Sequence, residues 1–532
     1  MHTALRRHQN RRISARSDTA RYSRRQTRHF GLNNLAQAAN PAGVIRFLAT
    51  FLSALLAASC SPGGERGPVD VAIFGNENAL FQQGVRLSSA AQHLRAATNE
   101  GLVALDPSGQ VVPAIAERWI VTDDGRSYIF RLRDANWPDG EELTAEDVRT
   151  ALRERIAQLE GTSLGLDLAK VTEIRAMTGR VVELRLSGPM PEFLRLLAQP
   201  ELGLTKRGSG VGPMVMSRDE DSSLARLSVL PPEARGLPAR EDWEDLSRGL
   251  TIRAISGQAA VDAFTSGEVD LLLNGTIATF PLAQLGPLSR GTVQVDPALG
   301  LFGLIFRSDA GLLSDPDRRE ALSMAIDRAA LIQPFGLGGW RASTWIVPSD
   351  LFSPQRYPAS RWDDLTFEQR QATARARIAA WEAETGEEAS VTVGMPAGPG
   401  SELLFRQIAT AWQSIGVSAT RVGMGEGGDL ELRDRLARYS SPRWFLNQLN
   451  CTIELGLCSP TADELVRDSL ELRDPAAKQA LLAEAHAELV AAEVFIPFGV
   501  PVRWSLVRGA VSGYQANPWG LHPLFPLSEP TT

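Results

Sequence analysis

The 532 residues are 43% hydrophobic and 22% charged. That is ordinary globular composition, with room for about three domain-sized units of ~150 residues each. Ten arginines and one acid, Asp18, precede Cys60 and give that segment +9, whereas the 45 basic and 61 acidic residues from Cys60 onward leave −16. An acidic body argues against nucleic acid as a partner, because phosphate contacts need clustered Lys and Arg.

The apolar run from Phe47 to Ser59 has 13 residues, too few to span a bilayer as a helix. Arg46 precedes it and small residues follow, which is the layout of a secretory signal. Ala57-Ala58-Ser59-Cys60 resembles the bacterial lipoprotein signal, in which the cysteine is diacylated and becomes the new N-terminus. The residue preferred three before the cysteine is Leu, and here it is Ala57. Residues 1–59 then read as leader and signal peptide, and 60–68, "CSPGGERGP", as a flexible tether. The other reading is a buried Cys60 in a short core helix. Residues 1–43 are longer than a normal basic region, and a start at Val44 would leave the compact leader "VIRFLATFLSALLAASC".

Further on, short strands mix with amphipathic helices. "VDVAIF" (69–74) is a compact apolar strand. "RSYIFRLR" (126–133) alternates as an antiparallel strand does, after the turn "DDG". "ELTAEDVRTALRERI" predicts a helix with Thr144 as N-cap and acids in its first turn. "VTEIRAMTGRVVELRLS" predicts a hairpin turned at Thr178-Gly179. "SDPDRREALSMAIDRAALI" predicts one helix capped by Ser314 or Asp315, with Leu322, Ala325 or Ile326, Ala329 and Ile332 inward. A second long helix, 475–493, places His486 on its polar face and runs into the strand "VFIPFGVPV". Cys451 and Cys458 are the only cysteines besides Cys60. In an exported chain the pair predicts a disulfide, whose short loop would contribute about 2–3 kcal/mol. The class is mixed α/β.

One run, "EGLVALDPSGQVVPAIAERWIVTDDGRSYIFRLRDANWPDGEELTAEDVRTALR" (100–153), resembles the signature of the family 5 solute-binding proteins. These are the peptide, dipeptide and nickel receptors of bacterial ABC importers. Tyr128, Phe130, Leu132 and Arg133 match its Y-x-F-x-L-R strand. Asp139-Gly140, Leu143-Thr144-Ala145 and Asp147-Val148 match the D-G-x-x-L-T-A-x-D-V step that follows. "GVGPMVM" (210–216), "GQAAVDAFTSGEVDLLL" (257–273), "LFGLIFRSDAGLLSDPDRREALSMAIDRAALI" (301–332), "QIATAWQSIGVSAT" (407–420) and "GAVSGYQANPWG" (509–520) are similar to later family segments, in order. The resemblance implies a two-lobe periplasmic-binding-protein clamshell of type II. Lobe I would span 69–299, with an extra subdomain at about 100–205. Lobe II would span 300–497, and 498–532 would return to lobe I. The segments near Pro297–Phe302 and Pro497–Pro501 would be the hinge.

The same resemblance places ligand contacts and marks a departure. Peptide-binding members carry G-W-x-x-D-Y-x-D-P-x-x-F-L, whose aspartate before the tyrosine pairs with the peptide's α-ammonium. The counterpart here is "DRLARYSSPRWFL" (434–446). Tyr439, Pro442, Phe445 and Leu446 keep the spacing, but Arg438 stands where the aspartate would be and Asp434-Arg435 where Gly-Trp would be. A cation there favours a carboxylate, phosphate or sulfonate over an ammonium, unless the register slips and Arg438 is a solvated surface charge. Trp444 is a candidate stacking wall or a core residue. Glu77, just after the first strand, lies where the family's lobe I pocket begins, or on the surface.

Catalytic groups are scarce. From Cys60 onward the histidines are His93, His486 and His522. No H-E-x-x-H helix or G-x-S-x-G elbow occurs, and "GMGEGG" (423–428) lacks the βαβ context of a dinucleotide loop. The expectation is a non-enzymatic, monomeric lipoprotein without metal or cofactor, held to the membrane by its lipid alone. It would deliver a peptide or peptide-like solute to an ABC permease and ATPase. The alternatives are a sensing or envelope-assisting clamshell and a secreted hydrolase.

Overall fold

Residues 67–218, 223–283, 291–352 and 361–529 are described in the computed structural model. The apolar strand Val69–Phe74 lies inside a seven-stranded sheet, parallel to both neighbours, Leu250–Ile255 and Leu271–Thr276. Being covered on both faces, it is an unbroken apolar run rather than an alternating one. The helix Gly257–Ser266 connects those two neighbours across it. Arg503–Val507 and Val293–Val295 complete one edge, and Leu224–Val229 and Met214–Arg218 the other.

A five-stranded sheet has the order Ser418–Gly423, Ser390–Met395, Leu430–Leu436, Gly300–Phe306, Phe495–Gly499. The chain passes from the first sheet to this one through 296–299 and returns through 500–502. These two crossings join two lobes, each built on its own sheet.

A separate four-stranded antiparallel sheet comes from Ala116–Val121, Ser127–Leu132, Val171–Met177 and Val181–Leu186. Its two hairpins turn where expected, at Gly125 and Gly179, both with positive φ. The helix Ala145–Gln158 covers it and starts with a capping box in which Thr144 and Asp147 satisfy each other's backbone N–H. The apolar faces of this subdomain and of the five-stranded lobe share one buried cluster that includes Phe130, Leu184, Trp444 and Phe445.

Two local expectations are corrected. The helix expected through 332 breaks: Pro316–Met324 ends, and Asp327 caps a second helix, Arg328–Ile332, by accepting from the N–H groups of Ala329 and Ala330. The break turns Ala329 outward and buries Arg328. Arg328 donates to the carbonyls of Ser323, Ile326 and Pro497, which satisfies its guanidinium without a carboxylate. The second correction is His486, which is buried rather than on a polar face and stacks on Phe352, 5.7 Å between centroids. Burial pushes its pKa down to about 3.

Candidate functional site

The strand Leu430–Leu436 ends beside a crossing, where the Ala437 N–H donates to Leu299 O. The chain then leaves the sheet, and Pro442 opens the short helix Pro442–Asn447. Trp444, Phe445 and Leu446 anchor that helix in the core. Residues 434–443 are therefore held at both ends, facing the seven-stranded lobe and the four-stranded subdomain.

Arg438 reaches across to that side. Its Nη1 donates to Gln199 Oε1 at 2.8 Å and to Glu201 Oε2 at 3.0 Å, and its Nη2 donates to Glu201 Oε1 at 2.7 Å. Gln92, on the helix Ser89–Thr98, donates to the same Glu201 Oε1. Burial pushes the Glu201 carboxyl up, but the Arg438 guanidinium outweighs this and leaves it below the usual carboxylate range. The Arg438 side chain keeps 22% exposure and that of Glu201 keeps 2%. The pair is thus a clamp between segments with its cationic half at the rim.

A second clamp lies one residue on. Tyr439 Oη donates to Asp167 Oδ1 at 2.8 Å, and Asn447 Nδ2 donates to the same oxygen at 2.7 Å. Arg443 donates to the Asp167 and Leu166 carbonyls at the end of the helix Ser163–Asp167. Burial raises the Asp167 pKa to about 6, against the opposing pull of Arg443, Asn447 and Tyr439. A raised carboxyl pKa means that the folded state holds this proton more tightly than the unfolded chain. The associated stability is complete below the usual pKa near 3.8 and is lost as pH rises through about 6. Asp167→Asn is therefore expected to be more favourable at pH 7.5 than at pH 4.5, by about 1–3 kcal/mol. Urea denaturation of both proteins at the two pH values checks this, and equal effects at both would show that the carboxyl titrates normally.

Nearer the crossings, Arg503 Nη1 donates to Asp434 Oδ1 at 2.6 Å, tying the two sheets together. Arg435, next along the strand, is exposed. From the five-stranded lobe, Gly400 N–H donates to Ala278 O of the seven-stranded side at 2.8 Å, a direct contact between lobes.

The other residues singled out from sequence lie elsewhere. Glu77 is exposed and pairs with Arg218 at 3.1 Å, on the surface. Trp444 is 1% exposed and meets Phe445 edge-on, with no open face to stack a ligand. Cys451 and Cys458 form the expected disulfide. Cys60 lies outside the described residues. Sequence reasoning missed Asp167 and Glu201. Their signal was present: each is a lone acid in an apolar stretch, "SLGLDLAK" and "LAQPELGLT", where an unpaired charge would be costly.

Comparison with known proteins decides the family. The model of the bacterial extracellular solute-binding proteins, family 5, matches residues 110–225 and 239–442, more than half of the chain. The chain belongs to this family. Family 5 proteins are binding receptors and not enzymes. Among curated relatives, the probable di/tripeptide-binding protein 5 of Pseudomonas aeruginosa is 25% identical, over 77% of this chain and 86% of the relative. The probable deoxycholate-binding periplasmic protein YgiS of Escherichia coli is 24% identical, over 79% and 85%. Among solved structures, the Escherichia coli murein tripeptide binding protein MppA superposes with a TM-score of 0.74 at 20% identity, covering 88% of this chain and 99% of that one.

Proposed function

We propose that this chain is the solute receptor of an ABC-type importer, anchored by lipid at Cys60, which closes its lobes on a peptide or peptide-like solute and hands it to a membrane permease. The observation that carries the reading is family 5 membership together with two lobes joined by two crossings and held by cross-lobe contacts at Arg503–Asp434 and Gly400–Ala278. Ligand acts in such a fold by stabilising the closed state more than the open one, and the permease reads the closed state. Peptides head the solute class because the relatives' names include di- and tripeptides, with the bile acid of YgiS as the marker of a wider range.

The anchor has its own test. Cells fed labelled palmitate are expected to label the wild-type chain and not Cys60→Ala, which should leave the membrane fraction. Equal labelling of both, or membrane retention of the variant, would remove the anchor from this reading.

A further inference from the structure

The C-terminal segment grips the crossing at 296–299 through buried side chains that the receptor reading leaves unused. Asn517 N–H donates to Asp296 Oδ1 at 3.0 Å, and Leu299 N–H donates to Pro518 O at 3.1 Å. His522 Nε2 donates to Asp296 Oδ2 at 3.2 Å. The side chains of His522 and Asp296 keep 4% and 2% exposure, so water hardly competes for that bond.

His93, on the helix Ser89–Thr98 and fully buried, completes the chain. Its Nδ1 lies 2.7 Å from Ser89 O, and its Nε2 lies 3.2 Å from the backbone nitrogen of His522. A carbonyl only accepts and a backbone N–H only donates, so Nδ1 carries the proton and Nε2 offers its lone pair. Both nitrogens are thus used by a neutral imidazole. A second proton, on Nε2, would point at the His522 N–H and put a charge where nothing can solvate it.

We infer that His93, His522 and Asp296 form an acid-sensitive lock on the 296–299 crossing, which opens when His93 takes up a second proton. Among the described residues, the titratable groups facing His93 are His522 and Asp296, and Tyr514 packs on the His522 ring at 4.7 Å between centroids. Burial pushes the His93 pKa down to about 4; the Ser89 carbonyl opposes this, the His522 charge adds to it and Asp296 opposes it. A lowered histidine pKa means that the folded state prefers the neutral ring. The stability it brings is complete above the ordinary value of 6.5 and is lost as pH falls from there through about 4. Opening the joint frees the crossing from the seven-stranded lobe, so the axis about which the lobes move slackens in acid. This holds for any solute the cleft takes.

Hydrogen exchange of the full chain, read by mass spectrometry at pH 7.5 and 4.5 and corrected for intrinsic exchange rates, tests the lock. The readout is local because His486, in the five-stranded lobe, is also held neutral by burial and would move a global midpoint. Peptides covering 89–98, 296–299 and 515–522 are expected to exchange about 10- to 100-fold faster at pH 4.5, the range that the gap between 6.5 and about 4 allows. The strand Ser127–Leu132 should change little. In His93→Gln the side-chain oxygen can still accept from the His522 N–H but does not titrate, so the acid response should vanish. His93→Phe offers no acceptor and should exchange fast at both pH values. Equal exchange of the three peptides at both pH values in the wild type, a rise shared by Ser127–Leu132, or an unchanged acid response in His93→Gln overturns the proposal. Should His93→Gln not fold, the wild-type contrast between those peptides and Ser127–Leu132 decides alone.

Discussion

Arg438→Ala is expected to lower the unfolding free energy by about 3–5 kcal/mol at pH 7.5, the range found when one partner of a buried ion pair is removed. The loss follows from the partner left behind. Glu201 is almost fully buried, and among the described residues only Gln92, besides the guanidinium, donates a side-chain hydrogen bond to it. Without Arg438 its burial would dominate and push its pKa above the ordinary range. In the wild type the sign is the opposite: the lowered Glu201 pKa contributes stability that is present above the ordinary carboxylate pKa and fades as pH falls through the folded value. The penalty of Arg438→Ala should therefore shrink on acidification, because the stranded carboxylate can take up a proton. Adding Glu201→Gln should recover much of the loss at pH 7.5 and little at pH 4.5. Urea denaturation of the three variants at both pH values reads this directly. If Arg438 were instead a free ligand-binding cation, its removal would barely move the stability of the empty protein.

The fold was readable where one segment decides its own conformation. Thr144, Gly125 and Gly179 carry caps and turns whose chemistry is local, and each appears where the sequence puts it. The sequential order of motifs from 69 to 520 carried the two-lobe architecture. What the sequence hid was pairing over long separations. Arg438 and Glu201 lie 237 residues apart, and Tyr439 and Asp167 lie 272 apart. No periodicity links such partners; only the folded chain brings them together. The break at Asp327 was hidden for a different reason, since a capping aspartate and a solvated helical aspartate look alike until the backbone turns. Of the site, the segment 434–446 was visible by resemblance, but its charge balance was not.

Gly400→Ala is expected to weaken solute binding by about 5- to 150-fold, the equivalent of the 1–3 kcal/mol that overpacking costs, while the empty protein keeps its unfolding midpoint. Gly400 lies in the first turn of the helix Pro399–Gln413, in the five-stranded lobe. Its N–H meets Ala278 O from the segment following Leu271–Thr276 of the other lobe. A methyl group at Gly400 would sit 1.9 Å from the Ile277 carbonyl oxygen, and 2.9 Å from that of Ala278. Backbone on both sides leaves no flexible side chain to yield, so the lobes themselves must part. An opening about the two crossings that parts Gly400 from Ile277 and Ala278 would relieve the clash. The substitution is then expected to draw its cost from closure. Apparent affinity falls in proportion to the fraction of molecules able to close. Gly398 would be a poorer choice for this test, because its φ of +142° strains any side chain whether the lobes are open or shut. Calorimetric titration with a bound solute gives the affinity, and small-angle X-ray scattering should show a larger radius for Gly400→Ala at saturating wild-type conditions. An affinity within twofold of the wild type would mean that the lobes capture solute without bringing Gly400 against Ala278.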